Sequence, residues 1–597
     1  MSRRVLQLGV AKLIAPFGPG AVVDILGESF VTMTADKWPK RTLLQPIDCL
    51  RLSSRLGVQR FYGPPAVEDI ESANALGVTV ARFPAWLFCQ TCRRMIRWTG
   101  KDETGEAPSC PSDSGRLVPM RFVAVCRGHS HATDIPWVGW LHRAPGANPE
   151  CRDSTSLRFR PIDGGSPGLS GLEVVCDACH GRRTLGDLRG DILLREGLTC
   201  HGIQPWETDW KDCDSPLEIL QRGATSFHYA ETEGAIDIPD VSASLLEVED
   251  RIRTNTYYLA LKSTPLDDDF AVQMAERIAV EIGVPAEQVL AVAQRDQDEE
   301  ADTGPIRGAI LSEEFSAFRA AATDNADEDN FKTRAETFSS TSADPVEKVL
   351  ATLIESVILV DRLREVRACL GFKRYRPDAD RVDAVVYDGI EAQWLPAYEG
   401  FGEGVFLRFN AAAIDAWAGE AGVRSRAALL ADKFAASRFS TRLHPFSPQY
   451  VALHSFAHAL LREFAFTSGY PAASLHERIY CEASGDYGIF IYTTSSDHEG
   501  TLGGLVREGE HDRLGSTLAR AAEQLSWCSN DPVCCEAHPQ NLDGLNLAAC
   551  HSCLLTSETS CDGFNLLLDR VMLVGSPDGK TPGLLTLLIG EVSGTAV

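Results

Sequence analysis

The chain has 597 residues, 44% of them hydrophobic, which makes it ordinary globular matter long enough for roughly three to five domains. Its net charge of −26 is unevenly spread: residues 1–230 hold 27 Lys/Arg against 25 Asp/Glu, residues 231–345 hold 9 against 26, and residues 346–597 hold 21 against 32. That is not the basic footprint of a protein that holds nucleic acid unaided, and no apolar run of about 18 residues predicts a membrane-spanning helix.

At the start, Ser2-Arg3-Arg4-Val5-Leu6 resembles a twin-arginine export signal only faintly, because Gln7 and Lys12 interrupt the apolar stretch and no small-residue cleavage site follows. A cytoplasmic protein is expected. Residues 1–85 read as short strands and turns, with a hairpin of Ala21–Ile25 and Ser29–Met33 after the Gly18-Pro19-Gly20 turn. Residues 86–230 form a cysteine-rich region expected to be ordered by metal, and residues 231–345 an acidic helical region. Its charge runs at Asp267–Asp269, Gln297–Glu300 and Asp327–Asp329 read as solvated faces or loops, and Asp296–Pro305 and Thr323–Asn330 as linkers. In the connecting region 346–450, Val346–Arg367 has the three-and-four spacing of a buried amphipathic helix. Residues 451–597 close the chain as a mixed α/β module: a helix over Val451–Phe466, strands at Arg478–Tyr480 and Gly488–Tyr492, helices over Leu505–Leu525, then a second cysteine cluster. The predicted class is a multidomain α+β protein, with no sequence repeat of fixed period.

Cysteine spacing points to zinc. Two thiolates three positions apart on a tight turn bind one ion from the same side, and a distant pair completes the tetrahedron. A disulfide framework belongs instead to short secreted chains. Cys89 and Cys92 form one such pair and Cys110 a third ligand; the fourth is Asp113, Cys126 or His129, and Cys126 is favoured because thiolate is the softer donor. Cys176 and Cys179 form the next pair, with Cys200 and Cys213 following and Cys151 in reserve. In the tail, Cys550, Cys553 and Cys561 make one side of a site; Cys534 or Cys535 is the natural fourth, and Cys528 a further option. Isolated cysteines are equally well explained as core residues.

Two motifs invite over-reading. His454 and His458 share a helix face with the spacing of a metalloprotease helix, but Ser455 stands where the general-base Glu belongs, so packed or hydrogen-bonded histidines are expected. Val571–Thr581 resembles an apolar strand entering a phosphate loop. Only three residues separate Gly575 from Gly579, however, and Pro582-Gly583 follows Lys580-Thr581, so a hairpin turn is predicted. With neither a nucleotide fingerprint nor a nucleophile elbow, the chain reads as a non-enzyme. Any DNA contact is expected from Arg93, Arg94 and Arg97 beside the first zinc knuckle and Arg182 and Arg183 beside the next.

Several strings together resemble a known family. They are Phe17-Gly18-Pro19-Gly20-Ala21-Val22-Val23-Asp24, Phe83-Pro84-x-Trp86-x-x-Cys89-x-x-Cys92, Arg121-Phe122-Val123-x-x-Cys126-x-Gly128-His129 and Pro136-Trp137. Further along come Gln221–Ala224, the His454–His458 helix, Glu477–Tyr480, Gly500–Leu505, Ala548-Ala549-Cys550-His551-x-Cys553 and Leu568-Asp569-Arg570. The chain resembles, collinearly and over nearly its whole length, the DrmB family of the bacterial DISARM phage-defence system, and its tail is similar to the cysteine-rich domain of MrfA-type helicases. The resemblance implies a non-catalytic, zinc-binding partner of a DrmA-like DNA helicase that acts with it on foreign DNA beside a methyltransferase marking self. The alternatives are a protein-binding scaffold without DNA contact and a zinc-dependent hydrolase.

Overall fold

The computed structural model describes the chain apart from residues 1–7, 40–43, 66–76, 104–105, 166, 240–251, 253–254, 256, 263, 265–267, 287–288, 291, 294–305, 387–392, 483–484, 496–501 and 594–597. It is a mixed α+β protein that divides into two units, Met1–Gly234 with Val366–Gly400, and Ala235–Glu365 with Phe401–Val597. The stretch 346–450, read as one region from sequence, is therefore divided between them. The expected linker 296–305 lies outside the described residues.

The first unit is built from small antiparallel sheets. The hairpin Val22–Ile25 and Glu28–Thr32 forms as expected and is extended by Val80–Arg82. Three further sheets share one layout, in which a central strand ends on a cysteine, turns tightly, and pairs with a short return strand and a third strand. The central strands are Trp86–Cys89, Phe122–Cys126 and Leu172–Cys176; their return strands are Met95–Arg97, Ala132–Asp134 and Arg182–Thr184. The third strands are Leu117–Pro119, Leu217–Gln221 and Leu157–Pro161. The strands are only three to five residues long; Leu87, Cys89, Cys110 and Leu117 pack together at the first sheet, while its Trp86 and Met95 join a larger buried group with Phe122, Trp137, Trp140, Leu157 and Val174.

The second unit has a twisted sheet with the strand path Asp327–Glu328, Phe331–Glu336, Ile354–Lys373, Trp394–Phe409, Asp486–Ser495, Leu475–Glu482; the two longest strands belong in part to each unit. The helix Pro448–Ser468 packs on this sheet. Ser447 caps it through the Tyr450 amide at 3.0 Å, Pro448 opens it and Gly469 at φ 80° ends it. Its residues from Tyr450 to Leu461 are all buried, as expected of a helix apolar on every side. The opposite face of the sheet, toward the helix Ile306–Ala321, carries a buried polar network. Glu314 accepts from Arg478 at 2.6 and 2.7 Å, from the Tyr480 hydroxyl at 3.0 Å and from the Ile236 amide at 2.9 Å. Glu365 accepts from Arg478 at 2.8 Å and from the Tyr492 hydroxyl at 3.1 Å.

Four expectations change. The helix predicted over Val346–Arg367 is confined to Pro345–Leu353, capped by Asp344, and the chain continues as the strand Ile354–Lys373. The β-branched run Val357-Ile358-x-Val360 decides it, because both faces of that strand are covered and an all-apolar run satisfies the helical spacing by accident. Thr323–Asn330 is no linker but leads into the hairpin of Asp327–Glu328 and Phe331–Glu336. Likewise the acidic region holds strands as well as helices, and Asp268, within its first charge run, caps the helix Asp269–Ile282 through the Phe270 amide at 2.8 Å. Val571–Val574, read as a strand, is a single helical turn.

Candidate metal centres

Each central strand of the first unit runs into the same six-residue turn. The amide of the leading cysteine bonds to the carbonyl five residues on: Cys89 to Arg94 at 2.9 Å, Cys126 to His131 at 2.9 Å, Cys176 to Gly181 at 2.9 Å. The fifth residue takes left-handed backbone, Arg93 at φ 64°, Ser130 at 56° and His180 at 59°. A fourth copy opens on Cys110, whose amide bonds to Gly115 at 2.8 Å with Ser114 at φ 56°. The geometry places the first and fourth residues on one side. Amides then point at the leading sulfur, as Thr91 and Cys92 do toward Cys89 Sγ at 3.3 and 3.4 Å.

Two of these turns face each other to gather Cys89, Cys92, Cys110 and Asp113, whose donor atoms lie within 4.8 Å of one another. Cys92 Sγ and Cys110 Sγ are 3.7 Å apart and Cys89 Sγ is 3.3 Å from Asp113 Oδ1. Thiolates about 2.3 Å from one tetrahedral zinc stand about 3.8 Å apart, whereas a disulfide requires about 2.05 Å. The Gly115 amide, with help from Cys110, holds the Asp113 carboxyl down to about 2, so it is an anion. Burial pushes the Cys89 thiol up, but the amides of Cys92 and Thr91 outweigh it and leave it below the ordinary range. A side chain at Gly115 would put its Cβ 2.7 Å from Cys89 Sγ, which is why that turn carries glycine. Cys126, the favoured fourth ligand from sequence, is not in this group. The sheet layout sends it to its own turn and leaves Asp113 as the fourth donor.

Cys126 instead meets His129, His131 and Cys213. Cys126 Sγ is 3.6 Å from His129 Nδ1 and 3.9 Å from Cys213 Sγ, and Cys213 Sγ is 3.5 Å from His129 Nδ1. Cys200 joins from the side, 3.5 Å from His131 Nδ1. A hydrogen bond from Cys200 holds the Cys126 thiol far below its ordinary range and pushes that of Cys200 up. Cys200 and Cys213 thus stand with Cys126 rather than with Cys176.

The third group is His142, Cys151, Cys176 and Cys179. His142 donates Nδ1–H to the Val138 carbonyl at 2.8 Å, which leaves its buried Nε2 a lone pair with no hydrogen-bond partner. An orphaned buried acceptor beside three thiols fits a metal ion. Cys151, the reserve ligand, is therefore in the group, and His142 escaped sequence reading because nothing in its spacing links it to Cys176.

In the tail, Cys528, Cys534, Cys550 and Cys553 converge. The sulfur separations are 3.5 Å for Cys528–Cys550, 3.7 Å for Cys534–Cys553 and 3.7 Å for Cys550–Cys553. Asp531 organises the loop: it accepts from the Cys528 amide at 2.9 Å and from buried Arg570 at 2.7 and 2.8 Å. Burial raises the Cys550 thiol, but donation from Cys528 and the amides of Cys553 and Ser552 bring it down to about 6. Cys528 takes the place expected for Cys561. Cys535 turns toward the Pro532 carbonyl at 3.3 Å, and Cys561 lies elsewhere, beside His454, His458 and Glu477. Ser455, at the general-base position, accepts from the Asp569 amide at 2.9 Å and is structural. Cys49, Cys369 and Cys481 are buried core residues.

The five arginines separate. Arg93, Arg97 and Arg182 are exposed around the knuckle turns. Arg94 is tied to the Thr155 carbonyl at 3.0 Å and Ser112 Oγ at 2.9 Å. Arg183 is buried against the Trp140 ring, bonded to the Trp140 carbonyl at 2.6 Å and to Glu196 at 2.7 Å, so it cannot reach a phosphate.

Residues 9–229 match a family described as a domain of unknown function (DUF8724), and residues 456–554 match the MrfA Zn-binding domain. The second match takes in Cys528, Cys534, Cys550 and Cys553, and the chain accordingly carries a zinc-binding domain, with donor sets in the first unit suited to the same ion. Among the described residues no helix is long and apolar enough to cross a membrane. Over 592 residues the chain is 30% identical to the DISARM protein DrmB of Bacillus paralicheniformis (strain ATCC 9945a / NCIMB 11709 / CD-2), covering 94% of this chain and 98% of that one. With agreement from end to end and a zinc-binding domain in its tail, the chain belongs to the DrmB family of DISARM proteins.

Proposed function

We propose that this chain is a non-catalytic, zinc-binding subunit of a DISARM antiphage defence system, which pairs in the cytoplasm with a DrmA-like DNA helicase as a heterodimer and helps it bind or load on foreign DNA. The observation that carries the reading is the exposure of Arg93 on a cysteine turn, and of Arg97 and Arg182 on the return strands that follow such turns, beside candidate zinc centres. Arginines held by a pre-ordered turn meet phosphates at little entropic cost. The phosphate-loop lookalike supports a role without ATP turnover: Lys580 pairs with its own neighbour Asp578 at 2.7 Å in an open turn, and the next helix begins only at Thr586.

DNA affinity of the chain, of the helicase and of their complex, each followed against salt, tests the proposal. The complex is expected to bind far more tightly than this chain alone. Arg93, Arg97 and Arg182 changed together to Ala should weaken the complex and make its salt slope shallower by about one unit per lost phosphate contact. An unchanged slope and affinity would overturn the DNA role. The net charge of −26 then favours a scaffold that binds protein alone.

A further inference from the structure

The tail holds a second convergence of donors that the cysteine cluster does not use. His454 and His458 come from the helix Pro448–Ser468, Glu477 from the strand Leu475–Glu482, and Cys561 from the loop after the cysteine cluster. All four are buried, none more than 3% exposed. His454 Nε2 is 3.0 Å from Glu477 Oε1 and 3.2 Å from Cys561 Sγ; His458 Nε2 is 3.1 Å from His454 Nε2 and 3.2 Å from Glu477 Oε1. Donors about 2.0 to 2.3 Å from one tetrahedral zinc are separated by roughly 3.3 to 3.8 Å, close to these values.

Proton counting separates an ion from a hydrogen-bonded cluster. His458 donates Nδ1–H to the Leu554 carbonyl at 2.9 Å, so its Nε2 presents a lone pair to the group. Glu477 Oε1 and Cys561 Sγ are acceptors too once ionised. Protons from His454 and Cys561 alone leave lone pairs facing one another, and a further buried atom, Glu477 Oε2, has no hydrogen-bond partner. Orphaned buried polar atoms are costly. One divalent cation satisfies all four converging donors and cancels the charges of Glu477 and Cys561, so no net charge is buried.

We infer that His454, His458, Glu477 and Cys561 form a closed zinc site, separate from the four-cysteine site, that pins helix, strand and tail loop to one another. Two imidazoles, a carboxylate and a thiolate are the donors of a borderline metal and are unsuited to Mg2+ or Ca2+. The site is structural. Four protein donors fill the tetrahedron, and Gly563 closes the approach, since a Cβ there would stand 2.9 Å from His454 Cε1. His454 and Cys561 lie outside residues 456–554, the span matched to the MrfA Zn-binding domain.

Zinc content of the full chain, purified without added metal, provides the test. Cys561→Ala should lose one zinc per chain, Cys528→Ala should lose another, and the double variant both. A Cys561→Ala protein with the wild-type zinc count overturns the site, as does a double variant that loses no more than Cys528→Ala alone. Should Cys561→Ala not fold, anomalous scattering at the zinc edge from crystals of the unaltered protein decides. A peak about 2.0 to 2.3 Å from His454 Nε2, His458 Nε2 and Cys561 Sγ supports the site. Peaks at the cysteine clusters with none here reduce it to a hydrogen-bonded core cluster.

Discussion

The two units put metal to different uses. In the first, three donor sets stand at the ends of short three-stranded sheets, beside an apolar group that includes Trp86, Met95, Phe122, Trp137, Trp140 and Val174. In the second, the four-cysteine group sits at the margin of a large core that includes Val451, Phe456, Leu460, Ile489, Leu518 and Leu568. Short strands joined by cysteine turns draw more of their order from coordination, whereas a region of long strands around a large core gains from the ion without being made by it.

Chelation should expose that contrast most strongly. Stripping zinc from the full chain is expected to abolish hydrogen-exchange protection of Trp86–Cys89, Phe122–Cys126 and Leu172–Cys176, since structural zinc in finger peptides supplies about 10 to 16 kcal/mol. The strands Phe331–Glu336 and Asp486–Ser495, which lie wholly in the second unit, should keep theirs. Equal loss in both units would erase the distinction.

The second unit has a different weak point. Arg478→Met deprives two buried carboxylates, Glu314 and Glu365, of their shared cation, and is expected to cost about 3 to 5 kcal/mol. Thermal unfolding with exchange read site by site should place the loss in the second unit. A shift confined to the first contradicts this account.

A smaller effect, set by pH, belongs to the first unit. Desolvation and nearby Arg374 hold His228 down to about 3, where its Nε2–H meets the Pro19 carbonyl at 3.0 Å. A histidine whose pKa is lower folded than unfolded stabilises the fold above about 6.5, and that contribution is lost as pH falls toward 3, by at most about 1.4 kcal/mol per pH unit. The difference in Tm between wild type and His228→Gln should shrink steadily as pH falls below 6.5, the metal-site titrations being common to both. A pH-independent difference would mean that His228 is ordinarily solvated.

Reading from sequence reached the zinc chemistry and the helix and strands of 448–495, and the pairs Cys89/Cys92, Cys176/Cys179 and Cys550/Cys553 each stand among further donors. Closing partners were not legible, because a second pair is chosen by which strand lies beside the first. Asp113 outranks Cys126 only once the Leu117–Pro119 strand pairs with Trp86–Cys89. Equally, His142 reaches Cys176 from a short helix, and Glu477 meets His458 across a helix–sheet contact that no local spacing announces. The strand Ile354–Lys373 was hidden by composition, since a run buried on both faces carries no period of two.

The six-residue turn that opens on Cys89, Cys110, Cys126 and Cys176 is closed by its own backbone, so the residue at its fourth place, Cys92, Asp113, His129 or Cys179, is free to vary while the shape stays fixed. Grip on the ion is thereby uncoupled from architecture. Carboxylate is the harder and poorer zinc donor, so the centre that includes Asp113 should surrender its ion first as a competing chelator is raised. Asp113→Cys should move it to the back of that order with the turn unchanged, which makes retention of metal in this protein an adjustable property set one side chain at a time.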